Sequence, residues 1–276
     1  MIQENPQIDR FKQQLRDSLQ RETLNARAIT IAKHAHVYTC GDPGETVCFI
    51  ESGQVKLQML SPEGRECILA IHSAGDIFGE LCLSGLGPRL ETATAMTETT
   101  LKQIPCSRFF ARLSRDSLFE GFVRYLAVRI ADQQQMIANL VTVDSEQRLG
   151  KTLLQLAHKV GRKDPRNIRI SKGSGDICIE HKISHEELSE MVGTTRPRIS
   201  LFMQRFRNLG LVETSAEYFL IINEKKLTAY LAQVCGPRDH SFQNRPVLDS
   251  NASRVSVALN ADWNQMGALA SVAGRG

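Results

Sequence analysis

Residues 182–206 read KISHEELSEMVGTTRPRISLFMQRF, and their punctuation describes two helices joined by a tight turn. Ser184 followed three residues later by Glu187 is a capping box, in which hydroxyl and carboxylate each satisfy an otherwise orphaned amide. Leu188, Met191 and Val192 give the first helix an inner face, and Gly193 allows the turn. Thr194 or Thr195 caps the second helix. Pro197 falls in its first turn, where a missing amide costs nothing. Ile199, Phe202, Met203 and Phe206 supply its buried side.

The outward side of that second helix begins with Arg196, Arg198 and Ser200. In a helix-turn-helix the second helix enters the major groove and presents its N-terminal residues to base edges. Arginine is the usual bidentate partner of guanine O6 and N7. The pattern predicts guanine contact by Arg196, phosphate contacts by Arg198 and Thr195, and either role for Ser200. Leu201 suits a thymine methyl, and Thr194 and Arg205 complete the candidate DNA-binding set. Downstream, Leu211-Val212-Glu213 and Tyr218–Ile222 read as the hairpin of a wing. Charge agrees: residues 145–231 hold 15 Lys+Arg against 10 Asp+Glu, while the rest of the chain holds 19 against 20. A basic surplus confined to one segment points to a polyanionic partner there.

Upstream, Phe119, Val123, Leu126, Ile130, Gln133, Ile137 and Leu140 are spaced alternately by four and three residues. This is an a/d heptad stripe, which suits either a helix packed on its own barrel or the seam of a two-stranded coiled coil; its narrowness and one polar Gln133 within it, which can fix register, favour the second. It predicts a dimerisation helix over 116–143. Asp144-Ser145 starts a further helix that ends near Lys159–Gly161, and residues 162–181 read as loops around a short strand pair.

Between residues 30 and 115 the texture is that of short strands. Ile29–Ala32, Val47–Ile50, Val55–Leu60, Cys67–Ile71 and Leu101–Ile104 are separated by turns such as Gly41-Asp42-Pro43-Gly44 and Ser61-Pro62-Glu63-Gly64. That spacing predicts an antiparallel barrel or sandwich. Residues 9–29 read as a helical lead-in, and Ser107–Arg115 as a short amphipathic helix. The tail 232–276 loses all periodicity and reads as disordered.

The length of 276 residues suits about two domains at ~100–200 residues each. Hydrophobic residues make up 42% and charged residues 23%, as in ordinary globular chains. No apolar run of membrane-spanning length occurs, and the polar stretch Met1–Arg10 does not read as a secretory leader. The seven cysteines are odd in number and form no C-x-x-C, which predicts reduced thiols in a cytoplasmic setting. Cys82 reads as a small buried hydrophobe. His34 and His36 alternate on an expected strand and would share a face, too few for a metal site. No nucleophile–base set or phosphate loop suggests an enzyme.

Taken in order, several segments resemble the CRP/FNR superfamily of transcription regulators, the cyclic-AMP receptor protein and its relatives. They are Gly41-Asp42-Pro43-Gly44, Glu51-Ser52-Gly53-Gln54-Val55, Phe78-Gly79-Glu80-Leu81, Thr92-Ala93-Thr94-Ala95, Asp144–Leu149 and Gly193-Thr194-Thr195-Arg196. The resemblance covers residues 20–231. It implies an α+β chain with an N-terminal cyclic-nucleotide-binding-like β-roll, a long dimerisation helix and a C-terminal winged helix-turn-helix. The expected divisions are 1–29, 30–115, 116–143, 144–231 and the tail. The expected partners are a second copy, double-stranded DNA and RNA polymerase.

In cyclic-AMP-binding relatives the Gly-Glu of the cassette binds ribose, and an Arg-Ser pair before the Ala-containing strand holds the phosphate. Here Gly79, Glu80 and Leu81 remain, but Glu91 and Thr92 stand where Arg and Ser are expected, and a carboxylate repels a phosphodiester. Arg89, two residues earlier, substitutes only if the loop shifts. The polar pair that meets adenine falls at Gln133 and Gln134. The expectation is a DNA-binding regulator controlled by a small effector other than ordinary cyclic AMP. The alternatives are a ligand-independent regulator of the same fold and a nucleotide-binding scaffold without DNA activity.

Overall fold

The computed structural model describes residues 6–21, 27–85, 87–161, 176–180, 182–215 and 219–234. The expected tail from 235 onward, the loops of 162–175 and Tyr218 of the expected wing lie outside them. The N-terminal helix α1 (Pro6–Arg21) is shorter than the predicted lead-in: Arg27–Ile31 already forms strand β1. The β-branched run Ile29-Thr30-Ile31 pairs with β8 (Thr99–Pro105), and that pairing outweighs the helical tendency of what precedes it.

The roll is made of two four-stranded antiparallel sheets. One has the order β1-β8-β3-β6, with β3 at Thr46–Ser52 and β6 at Ile77–Phe78. The other runs β2-β7-β4-β5, with β2 at His36–Tyr38, β7 at Thr92–Ala95, β4 at Gln54–Leu60 and β5 at Glu66–Ser73. Strand β3 explains why Val47–Ile50 shows no polar alternation, since both its faces are covered. Val47 and Phe49 join a cluster with α1 and the helices α2 (Cys106–Arg115) and α3 (Phe119–Thr142). Cys48 and Ile50 point the other way, into the roll, with Tyr38, Val55, Phe78 and Leu101. Gly121 lets α1 lie close on α3, because a Cβ there would meet the Phe11 ring at 2.6 Å.

His34 is not on a strand. It occupies a turn with positive φ (68°), while His36 opens β2, so the two imidazoles do not share a strand face. The described residues contain no group of three or more metal-ligating side chains. The cysteine reading also needs correction: Cys82 and Cys106 are joined in a disulfide. The chain reversal between β6 and β8 brings together two residues 24 apart, which no local motif announces.

Beyond α3, Asp144 caps α4 (Ser145–Val160) by accepting from the Gln147 amide at 2.9 Å. The helix-turn-helix follows as α5 (His185–Val192) and α6 (Arg196–Asn208), then the sheet β10-β11-β9 (Val212–Glu213, Leu220–Asn223 and Asp176–Ile179) and α7 (Glu224–Val234). Its core unites Leu149, Leu153, Leu188, Ile199, Phe206 and Leu227. Ile68, Ile71 and Met96 of the roll join the same cluster, and Lys56 of β4 meets Glu187 of α5 at 3.4 Å.

The capping box forms in full: Ser184 Oγ accepts from the Glu187 amide, and Glu187 Oε2 accepts from the Ser184 amide at 2.9 Å. Ser184→Ala is expected to cost about 1 kcal/mol. It would be read as a lower urea midpoint at unchanged slope, since the exposed surface on unfolding stays the same.

Candidate nucleic-acid interface and effector site

Helix α6 carries Arg196, Arg198, Arg205 and Arg207 and no acidic residue. Gly193 ends α5 in the left-handed conformation (φ 68°), which turns the chain so that the start of α6 projects outward. Thr195 is the N-cap residue by position, but its side chain makes no capping hydrogen bond. Thr195, Arg196, Pro197 and Arg198 are all exposed. Ile199, Met203 and Phe206 are buried on the opposite side, and Leu201 is 62% exposed. Among the described residues neither Arg196 nor Arg198 has a hydrogen-bond or ion-pair partner, so both guanidiniums keep every donor. Ser200 is half-buried, with Oγ 2.9 Å from His185 Nδ1. Arg205 turns toward α4 and pairs with Glu146 at 3.1 Å. Thr194 is half-buried, its amide donating to Ser189 O. Exposed guanidiniums at a helix start, with no carboxylate on that helix, can bind phosphates or the edges of guanines.

Arg148 on α4 is a residue the sequence reading did not single out. Its guanidinium donates to Val143 O at 2.8 Å at the end of α3, and to Val192 O at 2.9 Å and Gly193 O at 3.3 Å in the turn of the helix-turn-helix. One side chain therefore ties the long helix to the element that aims α6. Its only sequence signal is its place in the hinge segment.

The second site lies where β6 runs into the 3-10 turn Glu80–Ser84. Glu80 Oε1 pairs with Arg129 of α3 at 2.7 Å, both side chains largely buried. Glu80 Oε2 is buried without a hydrogen-bond partner among the described residues. Arg89 reaches this cassette: Nη1 donates to Gly79 O at 2.8 Å and Nη2 to Thr46 O at 2.6 Å. Its guanidinium lies 4.1 Å from the centroid of the Tyr38 ring. Glu91 accepts from the Tyr38 hydroxyl at 2.9 Å. Burial raises the Glu91 carboxyl, and burial together with Glu91 pushes the Tyr38 hydroxyl far up. Thr92 Oγ1 accepts from the Cys40 amide, and Leu81 is exposed on the 3-10 turn. Gln133 and Gln134 are exposed on α3, one turn beyond Arg129. The structure thus gathers Gly79, Glu80, Arg89 and Glu91 around Tyr38, Thr46 and Arg129. Of the last three, only Arg129 left a trace in the sequence, four residues before Gln133.

Residues 28–116 match the Cyclic nucleotide-binding domain family, and residues 147–230 match the Crp-like helix-turn-helix domain family. A CRP-like cAMP-activated global transcriptional regulator of Mycobacterium tuberculosis is 30% identical over 194 residues, 69% of this chain and 82% of that protein. The chain belongs to the CRP/FNR family of transcription regulators.

This CRP/FNR regulator is also similar to the Fumarate and nitrate reduction regulatory protein of Yersinia pestis, at 26% identity over 79% of this chain and 82% of that protein. In fold it resembles FixK2 from Bradyrhizobium japonicum, with a TM-score of 0.61 and 19% identity over 75% of this chain and 97% of the other. The α+β architecture of roll, long helix and helix-turn-helix is the family's. No described helix is long and apolar enough to cross a membrane.

Arg129 connects the regulator's cassette to a buried pair behind it. Its Nη2 lies 3.5 Å from His72 Nε2, and His72 Nδ1 faces Asp76 at 3.6 Å, too long for a good hydrogen bond. Burial lowers His72 to about 4, and Lys159 and Arg129 add to that, against Asp76. A histidine whose folded pKa is depressed leaves the unfolded chain binding the extra proton. Stability therefore falls as pH drops from 6.5 toward 4, by up to about 1.4 kcal/mol per pH unit. His72→Gln is expected to flatten that slope in denaturant melts taken across this window.

Proposed function

We propose that this regulator works as a homodimer on an inverted-repeat duplex, with a small effector in the roll setting its affinity. The carrying observation is the a/d face of α3. Val123, Ile130 and Ile137 are 58%, 55% and 61% exposed, while Phe122 and Tyr125 bury the opposite face in the chain's own core. A stripe of that width left open on a 24-residue helix fits a second copy of the same helix. Two-fold pairing would present two α6 helices about one DNA turn apart, ~34 Å, to half-sites of mirrored sequence. Selection from a random duplex library is expected to return a palindrome. Affinity for it should fall steeply with salt as counterions are released. Recovery of asymmetric sites, or salt-insensitive binding, would overturn the reading.

The effector reading is a small ligand other than ordinary cyclic AMP. Both terminal nitrogens of Arg89 are committed to backbone oxygens, and Glu91 adds a second buried carboxylate beside Glu80, which disfavours a phosphodiester. One observation favours cyclic AMP itself: the Arg89 guanidinium already stands at Gly79, and its Nε is buried without a partner among the described residues. The Mycobacterium tuberculosis relative is described as cAMP-activated. Calorimetry with cyclic AMP decides between them; the first reading expects no heat and unchanged DNA affinity.

A further inference from the structure

The 3-10 turn Glu80–Ser84 is lightly held. It buries no residue fully and is bracketed by Gly79 and Gly85, both left-handed at φ 74°. Its backbone bonds are long: Cys82 N to Gly79 O is 3.4 Å and Gly85 N to Cys82 O is 3.3 Å. Its ties to the rest of the fold include the Glu80–Arg129 pair, the Arg89 bond to Gly79 O, the Cys82–Cys106 disulfide, and packing of Cys82 and Leu83 on the core. Cys106 is the first residue of α2, which leads within four residues into α3, the helix that carries Arg129. The disulfide and the ion pair therefore bind the same turn to the same helical unit. Both sulfur-bearing residues are only half-buried, so small thiols and oxidants can reach them. In proteins that work in reducing compartments, disulfides are characteristically reversible and redox-sensing.

We propose that Cys82 and Cys106 form a reversible dithiol–disulfide site through which a two-electron oxidant pins the cassette turn to α2 and α3. With glutathione disulfide as the oxidant, one protein thiolate displaces glutathione thiolate and forms a mixed disulfide. The second protein thiolate then attacks the protein sulfur of that bond, closing Cys82–Cys106 and expelling the second glutathione. Two protein thiols lose two electrons and their protons, and one glutathione disulfide becomes two glutathiones. The device adds a redox input to the element that carries Glu80, and it holds whether or not the effector reading above is right.

The test uses the full chain equilibrated in glutathione buffers of stepped oxidation, followed by differential alkylation and peptide mass spectrometry. Cys82 and Cys106 are expected to change state together within the span of those buffers, while the exposed thiols Cys40 and Cys67 alkylate throughout. Hydrogen exchange of residues 79–85 should speed up about tenfold on reduction of the unmutated protein. Cys82→Ser and Cys106→Ser should each show the fast exchange without reductant and no further response to it. The proposal is overturned if the two cysteines titrate independently, if they stay as thiols in glutathione disulfide, or if reduction leaves the exchange of 79–85 unchanged.

Discussion

The double variant Ile130→Asp/Ile137→Asp is expected to sediment as a monomer and to bind a palindromic duplex at least ~100-fold more weakly than the parent chain. Both side chains are more than half exposed in the single chain, so aspartate there buries no charge within the protomer. The two positions are also clear of the Phe122 and Tyr125 face that packs on α1. The monomer should therefore keep its helicity and nearly its full resistance to urea. In a paired stalk the same substitutions would place four carboxylates along one apolar seam. Like charges without partners in such a seam cost several kcal/mol, enough to separate most two-stranded helices. Loss of DNA affinity follows because two half-sites held on one rigid dimer bind as one event, and separated half-sites do not. A variant that stays dimeric would move the interface elsewhere. A parent chain that is itself monomeric would end the proposal.

Legibility in the sequence followed the range of the physics involved. The capping box at Ser184, the left-handed Gly193 and the apolar spacing of α6 are determined within one or two turns of helix, and all three stand in the structure. The strand cores at Val47–Ile50 and Val55–Leu60 were equally visible, because turn residues bracket them. Features that depend on what the fold brings together were not. The apparent strand alternation of His34 and His36 dissolves because the chain turns at His34. Arg89 stands two residues from the expected anchor position, and its contact with Gly79 O is made by a long guanidinium across the fold, which local spacing does not announce. Cys82 and Cys106 lie on either side of a crossing that no local pattern predicts. The Glu80–Arg129 pair joins a turn to a helix 49 positions away, and only the packing of α3 against the roll creates it.

Arg196→Ala should lower affinity for the selected palindrome by ~1–3 kcal/mol per half-site and relax the preference at one base pair in each. Two features of the structure set this expectation. Arg196 is exposed at the start of α6, where a groove-bound helix points at base edges. It also lacks a protein partner among the described residues, so its removal leaves no buried group unsatisfied and the fold is spared. Arg198, equally exposed two residues on, makes the comparison informative. If it reads phosphate, Arg198→Ala weakens all duplexes alike and reduces the salt slope by about one per contact without changing the preferred sequence. Arg205→Ala should do less than either, because that side chain already pairs with Glu146 and releases little when removed. Competition gel shifts at two salt concentrations, run on the palindrome and on each single-base variant, separate the three. Uniform loss across all sequences for Arg196→Ala would reassign it to the backbone and leave base reading to Ser200 and Leu201. A preference relaxed at one base pair by Arg198→Ala, with uniform loss for Arg196→Ala, would reverse the two roles.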